Sequence, residues 1–243
     1  MKNVSIFLVV GLCLLLFIGC ANKPVSPVST YKFTIDGVLV KDMNLMQDIA
    51  YFIVQRDSLP FDSADVIVEG DTLESYGSGE YYLVGPFTTF HPNDTLDITI
   101  TSESDSVTFT KKIIMPDTFR ITDIAPGRLN PGGGSSVIYW TASQYASGYF
   151  VVVSNPPAVG HNALVDYNST QEEILQSAFQ DIHNNVIPGI YSVYVVSYRE
   201  SFLLYDPYFD LPNGLPRDNL QFYEANGTIG AGVIAPKDSI IVP

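Results

Sequence analysis

Residues able to do chemistry are few in this chain, and they are scattered. His91, His161 and His183 are its three histidines. None stands at the spacing that sets two imidazoles on one helix face against a metal. Gly77-Ser78-Gly79 places a serine between glycines, but no strand-to-helix pattern surrounds it, so the turn that presents a nucleophilic hydroxyl is not encoded. Pro131-Gly-Gly-Gly-Ser-Ser136 lacks the lysine of a phosphate loop and reads as a hairpin. Asp62, Asp65, Glu69, Asp71, Glu74 and Glu80 are frequent enough to suggest calcium. That ion needs about six to eight converging oxygens, and their spacing matches no EF-hand loop. They read as solvated turn residues. The sequence points to no catalytic set, no metal site and no cofactor. A glycosidase-like carboxylate pair remains the least favoured alternative.

Two features keep chemical interest. One is the thiol of Cys20. The other is the run from 202 to 228, where Tyr205, Tyr208 and Phe209 alternate with Asp206 and Asp210. Aromatic faces stack on sugar rings while carboxylates accept sugar hydroxyls, and tyrosine is equally enriched at protein contacts. A loop of this length is uncommon and is either functional or disordered. Tyr205, Asp206, Tyr208, Phe209 and Asp210 are therefore the candidate residues for a protein or glycan partner. The competing reading is a loop that folds over a sheet edge and buries its own rings.

Cys20 takes its meaning from what precedes it. Lys2 is followed by an apolar stretch, Ile6–Ile18, then Gly19-Cys20 and the polar Ala21-Asn22-Lys23-Pro24. The stretch is short for a membrane span, which needs about 20 residues, and right for the core of a signal peptide. These residues resemble the lipobox of bacterial lipoproteins, departing at Phe17, where that family prefers leucine. The resemblance implies that Cys20 carries a diacylglyceryl group and becomes the first residue after cleavage. Residues 1–19 are then the signal peptide, and 20–30, with Pro24 and Pro27, a tether. Each buried methylene contributes about 0.8 kcal/mol, so two or three acyl chains anchor stably where one does not. Ala21 after the cysteine implies sorting to the outer membrane in a host that has one. The membrane is thus one partner. Nucleic acid is not expected, because the formal charge of −14 repels phosphate. With Cys13 inside the leader, the processed chain keeps one thiol and no intrachain disulfide.

The elements that position these groups read as strands. Tyr, Phe, Val, Ile and Thr recur in short runs broken by Gly, Pro, Asn and Asp. Between 31 and 116 the alternation predicts strands at 31–35, 38–40, 50–55, 66–68, 80–84, 96–100 and 106–114, with a turn at Asp36-Gly37. The stretch 62–102 resembles transthyretin-like or immunoglobulin-like modules. Beyond the joint at Met115-Pro116-Asp117, strands are expected at 136–140, 149–153, 188–197 and 238–242. Trp140, Gly148-Tyr149 and Pro188-Gly189-Ile190-Tyr191 resemble the core tryptophan, strand opening and tyrosine corner of fibronectin type III domains. Thr170-Gln-Glu-Glu173 has capping-box spacing, and Ile174, Leu175, Ala178, Phe179 and Ile182 form a helical stripe, so a helix is expected near 171–183.

The expected fold class is all-β: two antiparallel β-sandwich domains in tandem, 31–116 and 117–243, with one short helix inserted in the second. The expected function is a non-catalytic cell-envelope lipoprotein that binds a protein or glycan through sandwich loops. The alternatives are a structural spacer or assembly subunit of an envelope complex, and then a carbohydrate-active enzyme.

Overall fold

The computed structural model describes residues 32–86, 88–201 and 219–243. In chain order its strands are β1 (Phe33–Asp42), β2 (Gln47–Arg56), β3 (Leu59–Pro60), β4 (Asp65–Val68), β5 (Asp71–Thr72), β6 (Glu74–Gly77), β7 (Glu80–Pro86), β8 (Thr95–Ser102) and β9 (Val107–Ile114). There follow β10 (Ile121–Ala125), β11 (Ser136–Trp140), β12 (Gly148–Ser154), β13 (His161–Asp166), β14 (Gln171–Ile174), β15 (Gly189–Arg199), β16 (Leu220–Gln221), β17 (Ala225–Ile234) and β18 (Asp238–Val242). Single 3-10 turns at Glu103–Asp105 and Gln176–Phe179 complete the described elements. The chain is all-β.

An 11-stranded sheet dominates, in the order β13-β12-β15-β17-β1-β2-β7-β6, with β16, β18 and β3 beside β17, β15 and β2. A four-stranded sheet, β5-β4-β8-β9, and a three-stranded sheet, β10-β11-β14, share its core. The joint expected at Met115–Asp117 separates these two small sheets. The long sheet runs through both parts, because β1 lies parallel to β17, with Phe33 opposite Ala225 and Asp42 opposite Ile234. Every other named strand pair is antiparallel. The described residues form one compact unit with one contiguous main core. It joins Ile35, Leu39 and Phe52 to Val66 and Ile98 of the four-stranded sheet, and Tyr149 and Val193 to Ile138 and Trp140 of the three-stranded one.

Two glycines explain how the central pair closes. Gly37 faces Phe52 across β1 and β2, and a Cβ there would collide with the ring. The expected turn at Asp36-Gly37 is therefore strand interior: the glycine makes room for an aromatic side chain, and β1 runs unbroken for ten residues. Gly227, at φ +142°, brings β17 so close to β1 that a Cβ would collide with the Ile35 carbonyl.

The helix expected near 171–183 is not formed. Gln171–Ile174 is strand β14, paired with β11 from Ser136 to Tyr139, and only the turn Gln176–Phe179 is helical. Ile174, Ala178 and Phe179 are buried as the stripe requires, but Leu175 and Ile182 are 56% and 84% exposed. Pairing with β11 satisfies a row of backbone donors and acceptors that a helix would have left open. The segment expected as loop through 228 likewise ends earlier, since 220–221 and 225–234 are strand.

Candidate functional site: an apolar groove on the outer face of the long sheet

Side chains alternate across a strand, so a sheet with apolar residues at both parities buries both faces. Inner-face residues such as Leu39, Phe52, Val151 and Val193 enter the main core. On the opposite face, Val38, Val40, Phe150, Val152, Val196 and Tyr198 form a second buried cluster, flanked by Ile49, Tyr51, Tyr194 and Ile234. Val38 and Val40 stand opposite Gly230 and Gly232 of β17, which carry no side chain onto that face. This outer face holds a groove of about 640 Å³, lined from β12 to β6. Its volume lies in the range of small-molecule sites, about 300–1,000 Å³.

The groove is chemically asymmetric. At one end Tyr82 packs edge-on against Tyr51 at 6.2 Å and Tyr76 at 6.1 Å, beside Glu80. Burial pushes the Tyr82 phenol up, and Tyr76 adds to the shift, so this ring is neutral at physiological pH. Mid-way along it, where β1 and β2 end, the β1–β2 turn is locked in place. Asp42 accepts the Asn44 and Leu45 amides at 2.7 and 3.0 Å. Asn44 donates to the Ala235 carbonyl at 3.0 Å and accepts the Lys237 amide at 2.5 Å. Lys237 lines the groove there, and among the described residues its ammonium forms no ion pair. Leu45, Met46 and Tyr76, 59–67% exposed, continue apolar surface around the turn and the tyrosine end. Such an arrangement can take an apolar ligand, with polar groups available at the tyrosines and beside the β1–β2 turn.

Residues singled out from sequence fall elsewhere. Cys20 and the candidate binding residues Tyr205, Asp206, Tyr208, Phe209 and Asp210 lie outside the described residues. His91 and His183 are exposed, and His161 meets Glu172 at 3.1 Å. Among the described residues no three His, Cys, Asp or Glu side chains converge as a metal site would require. Asp62 and Glu69 accept the amides of Gly79 and Asp97, as turn residues do. Trp140 packs against Tyr149 at 5.4 Å in the core, and the Tyr191 hydroxyl donates to the Ile187 carbonyl at 2.8 Å, the tyrosine-corner geometry.

No protein-family model matches the chain, and no curated protein matches it. Solved structures give distant likenesses, several of them to fibronectin type III domains. The FN1–FN3 domains of chicken CNTN1 align at 10% identity and TM-score 0.27, covering 83% of this chain and 64% of that one. This chain thus spans just under two thirds of that fragment. Two fibronectin type III domains of chicken tenascin align at 14% identity and TM-score 0.25, covering 61% and 83%. The fibronectin(III)-like modules of Clostridium thermocellum CbhA align at 10% and 0.24, covering 84% and 94%. The architecture rests on the strand pairing above and not on these likenesses.

Sequence reading missed the groove, although Tyr149–Val153 carries its signal. Five consecutive apolar residues in one strand mean that both sides of the sheet are dry there.

Proposed function

We propose that this chain is a non-catalytic cell-envelope lipoprotein, held to a membrane by acyl chains on Cys20, which binds an apolar ligand in the outer groove of its long sheet. The observation that carries the binding role is the second apolar cluster on that face, open as a groove of about 640 Å³. The lipobox-like leader supports the anchor, and the acidic composition supports a hydrophilic body displayed from it.

The test uses the processed chain and the uncharged apolar dye Nile red. The dye binds the parent protein, and Ile49→Glu, which sets a carboxylate into the groove wall, weakens it at least roughly tenfold with the fold intact by circular dichroism. Deletion of 203–217 leaves dye binding unchanged. Loss of binding on that deletion, with Ile49→Glu neutral, would move the site to the loop that holds Tyr205–Asp210. Mass spectrometry of protein extracted from its native membrane checks the anchor: a diacylated N-terminal cysteine is expected, and an unmodified thiol would remove it.

A further inference from the structure

We propose that this chain carries neutral glycans on serine and threonine hydroxyls, each set between an aspartate and an apolar residue. The proposal is independent of the groove and of the anchor. The tripeptides are Asp57-Ser-Leu59, Asp62-Ser-Ala64, Asp71-Thr-Leu73, Asp94-Thr-Leu96, Asp105-Ser-Val107, Asp117-Thr-Phe119 and Asp238-Ser-Ile240. Every Asp-Ser or Asp-Thr pair in the chain is followed by an apolar residue, although such residues make up only 46% of it. Aspartate and serine are ordinary turn residues, and an apolar residue after them commonly opens a strand. That explanation requires one local role at every copy, and the structure shows different ones. Ser58 and Ser106 are left-handed, at φ +64° and +55°, whereas Thr72, Thr95 and Ser239 lie in the extended strands β5, β8 and β18. The Asp62 carboxylate accepts the amide of Gly79, Asp105 binds Lys32 and Arg56, and Asp117 and Asp238 each accept the amide of the next residue. Asp71 and Asp94 make no side-chain hydrogen bond or ion pair among the described residues. Leu59 is 68% exposed, so the third position is not always core. One tripeptide with no common role in the fold points to a reader outside the chain.

What the copies share is an available hydroxyl. Ser58, Ser63, Thr72, Thr95 and Ser106 are exposed, and Thr118 and Ser239 are half-buried. Among the described residues none of these seven hydroxyls makes a hydrogen bond. Ser102, Ser136 and Ser143, which follow no aspartate, use theirs at 2.7, 2.9 and 2.6 Å. A free hydroxyl oxygen can attack the anomeric carbon of a sugar joined to a diphosphate carrier. The carbon–oxygen bond to the carrier breaks, the diphosphate leaves with the electron pair, and the hydroxyl proton passes to a base of the transferase. Charge selects a sugar over a phosphoryl group. The chain already stands at −14, and a phosphate would set about −1.5 to −2 further charges beside each aspartate. A neutral glycan adds bulk and hydration without that repulsion.

The experiment is electron-transfer mass spectrometry of peptides from the protein isolated from its own cells, with the parent chain and Asp71→Asn. Mass increments of whole sugar residues are expected on Ser58, Ser63, Thr72, Thr95 and Ser106. None is expected on Ser78 or Thr110, which are exposed but follow Gly77 and Phe109. Asp71→Asn, which breaks no contact, removes the increment at Thr72 and leaves the one at Thr95. Bare hydroxyls throughout would overturn the proposal, as would phosphate increments in place of sugars. Equal increments on Ser78 and Thr110, or an increment at Thr72 that survives Asp71→Asn, would overturn the role of the tripeptide. The N-terminal peptide of the same digest reports the anchor separately, so a lipidated chain with bare hydroxyls defeats this proposal and leaves the membrane reading in place.

Discussion

Two residue-scale arrangements hold the ends of β1 and can be tested singly. Near its start, Asp105 receives Lys32 at 2.5 Å, Arg56 at 2.9 Å and the Ser102 hydroxyl at 2.7 Å. The Lys32 hydrogen bond, first, and those from Ser102 and Ser104 outweigh desolvation and hold the Asp105 carboxyl down at about 2, against an ordinary 3.8. A depressed carboxylate stabilises the fold above its unfolded pKa, and the contribution is lost as pH falls through the folded one. Asp105→Asn should therefore lower the thermal midpoint near neutral pH, with the gap to the parent closing between about pH 4 and pH 2. A gap that persisted at about pH 2 would contradict the assignment. Near the other end, Lys41 and Asp48 pair at 3.1 Å, almost wholly buried. Lys41 also donates to the Phe90 carbonyl at 2.9 Å, while the Phe90 amide donates to Asp48 at 2.7 Å. Lys41→Met leaves the Asp48 charge buried without that partner and should cost about 3–5 kcal/mol in urea unfolding. Lys41→Met with Asp48→Leu should cost much less, because desolvating a buried pair consumes most of its Coulomb gain.

At the scale of elements, β17 is the keystone. Its central residues Gly230, Ala231 and Gly232 lie between β1 and β15, pairing with both or, at Gly230, with β1. Gly227→Val should be the most damaging single change in it, because the new Cβ must occupy the space of the Ile35 carbonyl. Failure to accumulate folded protein, seen as loss of the thermal transition, is expected; a folded variant with parent-like stability would show that the close approach is not needed. This strand also marks where sequence reading stopped. Strands with clean alternation, such as Thr95–Ser102, were legible within a residue or two because one face is wet and the other dry. β17 has no such pattern: glycine and alanine make up half of it, and both its sides are buried. Its parallel partner is some 190 residues away in sequence, a pairing no local pattern encodes. The capping-box spacing at Thr170–Glu173 predicts a helix start because propensity is local, whereas the open edge of β11 that recruits β14 is a tertiary fact. The tyrosine corner at Tyr191 was legible because the family resemblance supplied its geometry. The groove was not, since its walls come from seven strands spread over both halves of the chain.

For the whole molecule, the shared sheet predicts cooperativity. Residues 32–116 alone would strip β17 from β1, and residues 117–243 alone would strip β1 from β17, leaving long apolar edges exposed. Calorimetry of the processed chain should show one transition, with both halves failing to fold when expressed separately. Two well-separated transitions would mean that the halves are independent. The same shared sheet creates the groove, because its outer face becomes continuous only when both halves contribute strands. The most direct test of the groove is a backbone amide NMR titration of the isotope-labelled processed chain with Nile red. Shifts are expected at Val38, Val40, Ile49, Tyr51, Val152 and Val196, tapering toward inner-face neighbours such as Leu39 and Val151. Shifts confined to residues 202–218, or no saturable shifts at all, would contradict it.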